Sequence, residues 1–219
     1  MEVFKGYMRV TEATFIMIIE GTGKPMIKNK FAGARRQLTY KRHLERFEDY
    51  VKEGKMIEAR RMLSNIDLIS LDKLSESLMP KLDDVGIKYI IAPGESERFA
   101  CHLRRTDKID HILTTDTDCL AMGQSFINDI DSRNSVYTLV DYDVALTKLS
   151  LTPGQFMDLC IMCGCDYNDN IPRIGVKKAY KLIQEHNSIE HLKSLYNIDC
   201  LNHDVCRTLF SPISDESVH

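Results

Sequence analysis

The 219-residue sequence has no apolar run long enough to cross a bilayer. Its longest run near the start, Phe15 to Ile19, falls far short of the roughly 20 residues a spanning helix needs. No basic-then-apolar leader precedes that run, so the chain is expected to stay inside the cell with no membrane partner. It lacks an even cysteine count. Seven cysteines in an intracellular type of chain argue for thiols rather than a disulfide framework. It lacks a strong charge of one sign: the net charge of −3 argues against a uniformly basic binder of polyanions. Internal repeats and low-complexity tracts are also missing. What remains, 43% hydrophobic and 28% charged residues, suits a globular chain with one large α/β domain.

Charge is unevenly distributed. Between Lys24 and Arg61 there are twelve Lys and Arg against five Asp and Glu, so a basic stretch lies inside a mildly acidic chain. The acids that matter fall in four short patches: Glu20, the pair Glu95 and Glu97, the pair Asp116 and Asp118, and Asp166 in Gly164-Cys165-Asp166-Tyr167. Several carboxylates in one cleft repel each other and need compensation. Hard divalent cations supply it, and prefer oxygen ligands. Mg²⁺ is the expected ion, two per site, with Mn²⁺ as a substitute; such a pair can activate water and stabilise the leaving oxygen of a phosphodiester. Each acidic pair taken alone is equally well a solvated helix cap, because acids favour helix N-termini. The ordered set of four patches is much harder to explain that way.

Strand-like runs are expected at Thr14 to Ile19, Gly86 to Ala92, Ile109 to Thr115 and Val136 to Val140. Helices are expected over Ala32 to Leu63 with a break near Gly54, over Ile66 to Val85 with a kink at Pro80, and over Glu95 to Arg105 and Asp118 to Met122. Further helices are expected at Tyr142 to Leu149, Pro153 to Cys163, Val176 to His186 and Ile189 to Tyr196. Alternating strands and helices mean an α/β fold with a mostly parallel sheet and helices on both faces, its ligands at the carboxyl ends of strands. Glu20 and Asp116 fall at such ends. After Asp166, Ile171 to Lys178 reads as a glycine turn opening a basic helix. Gly175, Lys177 and Lys178 would grip a phosphate there without reading bases.

Cys160, Cys163 and Cys165 lie in or beside an apolar helix, where cysteine packs as a small core residue. Cys200, His203 and Cys206 are closely spaced but have no evident fourth ligand, so structural zinc is the minor reading at both places.

Taken together these stretches resemble the flap endonuclease family of structure-specific 5′ nucleases. Ile19-Glu20-Gly21 through Lys24-Pro25 is similar to the family's Phe-Asp-Gly-Lys-Pro, and Ala92-Pro93-Gly94-Glu95-Ser96-Glu97 to its Ala-Pro-x-Glu-Ala-Glu. Thr115-Asp116-Thr117-Asp118-Cys119-Leu120 with Gly123 resembles its second acidic loop. Asp158 to Tyr167 is similar to its Asp-Leu-Cys-Ile-Leu-x-Gly-x-Asp-Tyr, and Ile171 to Ala179 to its helix–two-turn–helix element.

The resemblance implies a PIN-like nuclease domain over 1–150, with a basic helical arch at about 31–63, and a helix–two-turn–helix DNA-binding region over 151–219. It implies metal ligation by Glu95, Glu97, Asp116, Asp118 and Asp166, with Glu20 standing where the family has aspartate. Lys28 or Lys30, and Arg35 or Arg36, would face the scissile phosphate. The turn at Asn170 to Gly175 would also hold a monovalent cation. The implied substrate is branched DNA with a 5′ single-stranded flap, met in the nucleus or wherever replication occurs, by a protein expected to be a monomer. A junction-binding homologue that does not cut, an RNA-cleaving relative and a Toprim-like or phosphatase-like site are the rivals. The sequence opens beyond the family's Gly-Ile-x-Gly-Leu segment and the strand with its first aspartate, so one ligand and a central strand are expected to be absent. No sliding-clamp peptide is found: Leu209-Phe210-Ser211-Pro212 lacks the glutamine and paired aromatics.

Overall fold

The computed structural model describes residues 13–23, 25–67, 74–84, 86–131 and 133–213. The chain divides into two units, one of Met1–Lys24 with Ile90–His219, the other of Pro25–Tyr89.

In the first unit, β1 (Ile16–Ile19) is hydrogen-bonded to β2 (Lys88–Ile91), a strand that runs in from the second unit. The expected helix after Pro93-Gly94 is α5 (Ser96–Arg105), with Glu95 as its extended N-cap residue and Arg104 and Arg105 in its last turn. Those charges suit the two ends of the helix dipole. The expected third strand is reduced to a parallel bridge between Leu113 and Ile127. Its partner, β3 (Phe126–Asp131), is missed by the sequence reading because Asn128 and Asp129 interrupt the apolar pattern; an irregularity in register falls between Ile127 and Asp129. β3 pairs antiparallel with β4 (Val136–Val140), which adds a hairpin to the α/β framework.

The helical remainder follows the expected order. α7 (Tyr142–Leu149) starts at Asp141, whose Oδ1 accepts from the Val144 N–H at 2.9 Å. α8 (Pro153–Cys163) starts with a reciprocal cap: Thr152 Oγ1 accepts from Gln155 N, and Gln155 Oε1 accepts from Thr152 N. α8 packs against α9 (Val176–His186) and α10 (His203–Phe210), enclosing Ile161, Met162, Ile183, Cys206 and Phe210. The helix expected over Ile189 to Tyr196 is only a 3₁₀ turn at Glu190–Leu192. Its opening N–H, on Ile189, is held by the buried carboxylate of Asp158 at 3.1 Å, which anchors the segment as a turn. α10 is not expected from the sequence, because its cysteine and histidine attract a ligand reading and obscure the apolar face of Cys206 and Phe210.

In the second unit, α1 (Met26–Lys28) passes through a π-helical stretch, Asn29–Gly33, into α2 (Ala34–Lys52). The break expected near Gly54 is present. Gly54 has φ of 71°, and Gly54 N and Lys55 N turn back onto Val51 O and Tyr50 O. α3 (Met56–Asp67) then packs against α2. α4 (Leu74–Asp84) contains Pro80. The remainder of the expected Ile66 to Val85 helix, 68–73 and Val85, lies outside the described residues, as does Lys24. Among the described residues no helix is long and apolar enough to cross a membrane.

Candidate active site

Glu20 directly follows β1, and its backbone is laid along the loop that leads to Glu95. Ala92 N donates to Ile19 O at 2.8 Å, Gly21 N to Gly94 O at 2.9 Å and Gly23 N to Pro93 O at 3.1 Å. The approach is close enough to need glycine: a Cβ on Gly21 would sit 1.8 Å from Ala92 O. Glu95, at the N-cap of α5, is buried at 6% exposure, and its carbonyl accepts from Phe99 N. Two residues on, Glu97 is half-buried and accepts from Ser96 Oγ at 2.9 Å.

Asp116 and Asp118 are set by a local turn. Asp116 N donates to Thr114 Oγ1 at 3.0 Å, and Asp116 Oδ1 accepts from Asp118 N at 2.9 Å. This arrangement opens α6 (Asp118–Ala121) with its first residue half-buried. α5 and α6 are tied by Arg105 Nη2 donating to Met122 O at 2.9 Å. Cys101 lies four residues after Glu97, on the same helix face. Asp166 is half-buried in the turn after α8.

The electrostatics tie the acids of α5, α6 and the Asp166 turn together. Tyr167, 3% exposed, packs its ring edgewise on Phe210, with centroids 5.9 Å apart. Burial pushes its hydroxyl well above the usual range, and the negative charges of Glu95, Asp118 and Asp166 push it further. The Cys119 thiol is raised by the Cys101 thiol and by burial, then by Glu97 and Asp116. Cys160 is pushed up to about 12 by burial, with Cys163 and Asp118 adding to it. Five of the six predicted acids thus raise one of two buried groups of the same unit: Glu95, Asp118 and Asp166 act on Tyr167, and Glu97 and Asp116 on the Cys119 thiol. Glu20 reaches the same region through the backbone bonds to the 92–94 loop. An all-carboxylate donor set of this kind fits hard divalent cations and not soft ones.

Lys28, Lys30, Arg35 and Arg36 belong to the other unit. Lys28 ends α1, Lys30 lies in the π-helical stretch with its Nζ 5.3 Å from the Phe31 ring centroid, and Arg35 and Arg36 fall in the first turn of α2. Gly175 is the N-cap residue of α9, and its carbonyl accepts from Lys178 N and Ala179 N. Arg173 just before it has φ of 66°, which shapes the turn. Lys177 and Lys178 are exposed in a first turn that carries no acid, and Lys178 Nζ lies 5.3 Å over the Tyr196 ring.

The cysteine–histidine groups take other roles. All seven cysteines are free thiols. Cys165 Sγ contacts Cys206 Sγ at 3.8 Å, and Cys200 Sγ points at Asn197 O. His203 Nε2 instead lies between Glu190 Oε1 at 3.6 Å and Asp204 Oδ1 at 3.7 Å. Among the described residues, these three make up the group whose ligand atoms all fall within 4.8 Å of one another. It lies on the α10 side of the unit and contains none of the six predicted acids. Arg207 already engages Glu190 there, and also grips Asp158 through Nε and Nη2, each at 2.8 Å. The sequence reading misses this Asp158–Arg207–Glu190 network and Tyr167. An aspartate inside the apolar run of α8 is the signal that points to the network.

The XPG I-region family model matches residues 86–166, the segment that carries five of the six acids. A probable RAD2-like endonuclease of Invertebrate iridescent virus 6 is 36% identical over 156 residues, covering 68% of this chain and 35% of the viral protein. Flap endonuclease 1 of Tetrahymena thermophila is 32% identical over 169 residues, covering 77% of this chain and 44% of that protein. The chain therefore spans less than half the length of either relative. In structure it is similar to flap endonuclease-1 of Methanococcus jannaschii, with a TM-score of 0.63 at 19% identity, covering 97% of this chain and 68% of that one. The catalytic core of Rad2 in complex with DNA substrate gives a TM-score of 0.56 at 18% identity over 89% of this chain and 58% of the other. These likenesses establish the PIN-like α/β fold.

Proposed function

Since the chain belongs to the flap endonuclease family, we propose that it is a divalent-metal-dependent nuclease that cuts branched DNA near a 5′ single-stranded end. Residues 1–150 are read as the nuclease domain and 151–219 as its DNA-binding region. Glu95, Glu97, Asp116, Asp118 and Asp166, with Glu20, would hold two Mg²⁺ ions, which when bound would supply an activated water and charge neutralisation at the phosphodiester. The observation that carries the reading is the match of residues 86–166 to the XPG I-region, a segment that holds Glu95, Glu97, Asp116, Asp118 and Asp166.

The chain's own residues then orient the substrate. Lys28 or Lys30, and Arg35 or Arg36, bind the scissile phosphate and stabilise its developing charge. Gly175, Lys177 and Lys178 hold the duplex backbone away from the cut. In support of that role, two lysines at a helix N-terminus oppose the helix dipole, and a bound phosphate reconciles them. The carbonyls of the Asn170 to Gly175 turn bind a monovalent cation.

A 5′-flap oligonucleotide cleavage assay with Mg²⁺ or Mn²⁺ tests the reading. Wild-type chain should release a short 5′ fragment. Asp118→Asn should cut at least about a hundredfold more slowly while still folding and binding the junction. Binding without cleavage at any metal concentration makes the chain a junction-binding module. Preferential cutting of the matching RNA flap makes it an RNA nuclease.

A further inference from the structure

The turn that carries Asp166 is tied to the last helix through sulfur. Cys165 Sγ and Cys206 Sγ, 41 residues apart in sequence, are 3.8 Å apart. Asn168, fully buried, fixes Cys165 from the other side: its Oδ1 accepts from Cys165 N at 2.8 Å and from Cys165 Sγ at 3.3 Å, and its Nδ2 donates to Ile161 O at 2.7 Å. Asp169 N donates to Cys200 O at 3.1 Å, so both ends of the turn are held to the segment around α10. Both cysteines are buried, Cys165 at 9% exposure and Cys206 at 0%. The second thiol pair, Cys101 and Cys119, is sealed at 1% and 0% exposure.

We propose that Cys165 and Cys206 form a peroxide-sensitive dithiol that closes to a disulfide and displaces the turn bearing Asp166. A disulfide needs its sulfurs about 2.05 Å apart, so closure brings the two sulfur atoms roughly 1.8 Å nearer than their present 3.8 Å, and the turn and α10 take up what side-chain rotation does not. The chemistry balances with hydrogen peroxide as the oxidant. The Cys165 sulfur attacks one peroxide oxygen, the O–O bond breaks, a sulfenic acid forms, and the released hydroxide takes the thiol proton to leave as water. Cys206 sulfur then attacks Cys165 sulfur. The S–S bond forms, the S–O bond breaks, and the Cys206 proton leaves with the hydroxyl as a second water. Two thiols are oxidised and one peroxide is reduced. A dithiol reductant reverses the step.

The consequence for cleavage rests on the nuclease reading, but the disulfide and the movement do not. The full chain is treated with hydrogen peroxide, its remaining thiols are blocked, and it is digested without reduction. Peptide mapping should find Cys165 linked to Cys206, with the link removed by dithiothreitol and absent in Cys206→Ser. Hydrogen exchange should change over residues 164–171 in the oxidised wild type. Flap cleavage should fall about a hundredfold and recover on reduction, because a catalytic group displaced by about 1 Å costs roughly that much. If Cys206→Ser does not fold, Cys165→Ser serves as the control. Recovery of both residues as free or singly oxidised thiols overturns the disulfide. A cross-link with unchanged exchange over residues 164–171 overturns the displacement. A chain that cuts nothing in either redox state refutes the nuclease reading, and the mapping and exchange still decide the dithiol.

Discussion

Asp118 lies among buried ionisable groups. Its charge bears on Tyr167, Cys160 and Cys165, and its position depends on Asp116 accepting from its backbone N–H. Asp118→Asn therefore keeps the turn and removes only the charge, which makes it the cleanest probe of the site. Glu190 is a different kind of acid. Its carboxyl is held down at about 2, below the ordinary 4.5, chiefly by the hydrogen bonds from Arg207. A carboxyl held low stabilises the fold fully above about 4.5, and that contribution disappears as the pH falls toward about 2. Its partner Asp158 runs the other way: burial raises its carboxyl despite Arg207, so ionising it at neutral pH costs stability. Thermal melts of Glu190→Gln should accordingly lose less stability than the wild type between pH 4.5 and 2. Parallel curves over that window would remove Glu190 from the acid response.

At the scale of elements, the ends of the secondary structures place the chemistry. α5 and α6 each begin with an acid pair, and β1 ends at a third acid beside the 92–94 loop. These ends were legible because Pro93-Gly94, Asp-Thr-Asp and the Gly21 break are local signals. β3 and α10 were not: Asn128 and Asp129 break the apolar pattern of β3, which is held by the neighbouring β4 and by Leu113, and α10 is held by α8, far away in sequence. Gly21→Ala tests how tightly β1 is locked to the Glu95 loop. Its new Cβ meets a backbone carbonyl at 1.8 Å, so the strand must shift. A loss of at least about 2 kcal/mol in urea unfolding is expected, together with weakened metal binding through Glu20. An unchanged midpoint would mean the two backbones are not held in register.

For the whole molecule, the proposed polyanion binding has to coexist with a net charge of −3. Segregation of charge allows it. The acids gather in one unit, while twelve basic residues lie between Lys24 and Arg61 and two more, Lys177 and Lys178, sit exposed at the start of α9. Replacing Lys177 and Lys178 together by alanine should weaken duplex binding. The slope of log affinity against log salt should drop by about 2, one for each lost phosphate contact. A slope equal to that of the wild type would take α9 out of the DNA interface.

The sequence alone determined the acid patches, their order, the helix starts beside them and the basic turn, because each depends on neighbours within a few residues. Tertiary structure alone decided that Glu95, Asp118 and Asp166 act on a common tyrosine, that Asp158 is neutralised by Arg207, and that Cys165 meets Cys206. Those are contacts between segments tens of residues apart. They arise from packing the α8–α9–α10 core, where burial removes water and lets a few charges and sulfurs influence one another strongly.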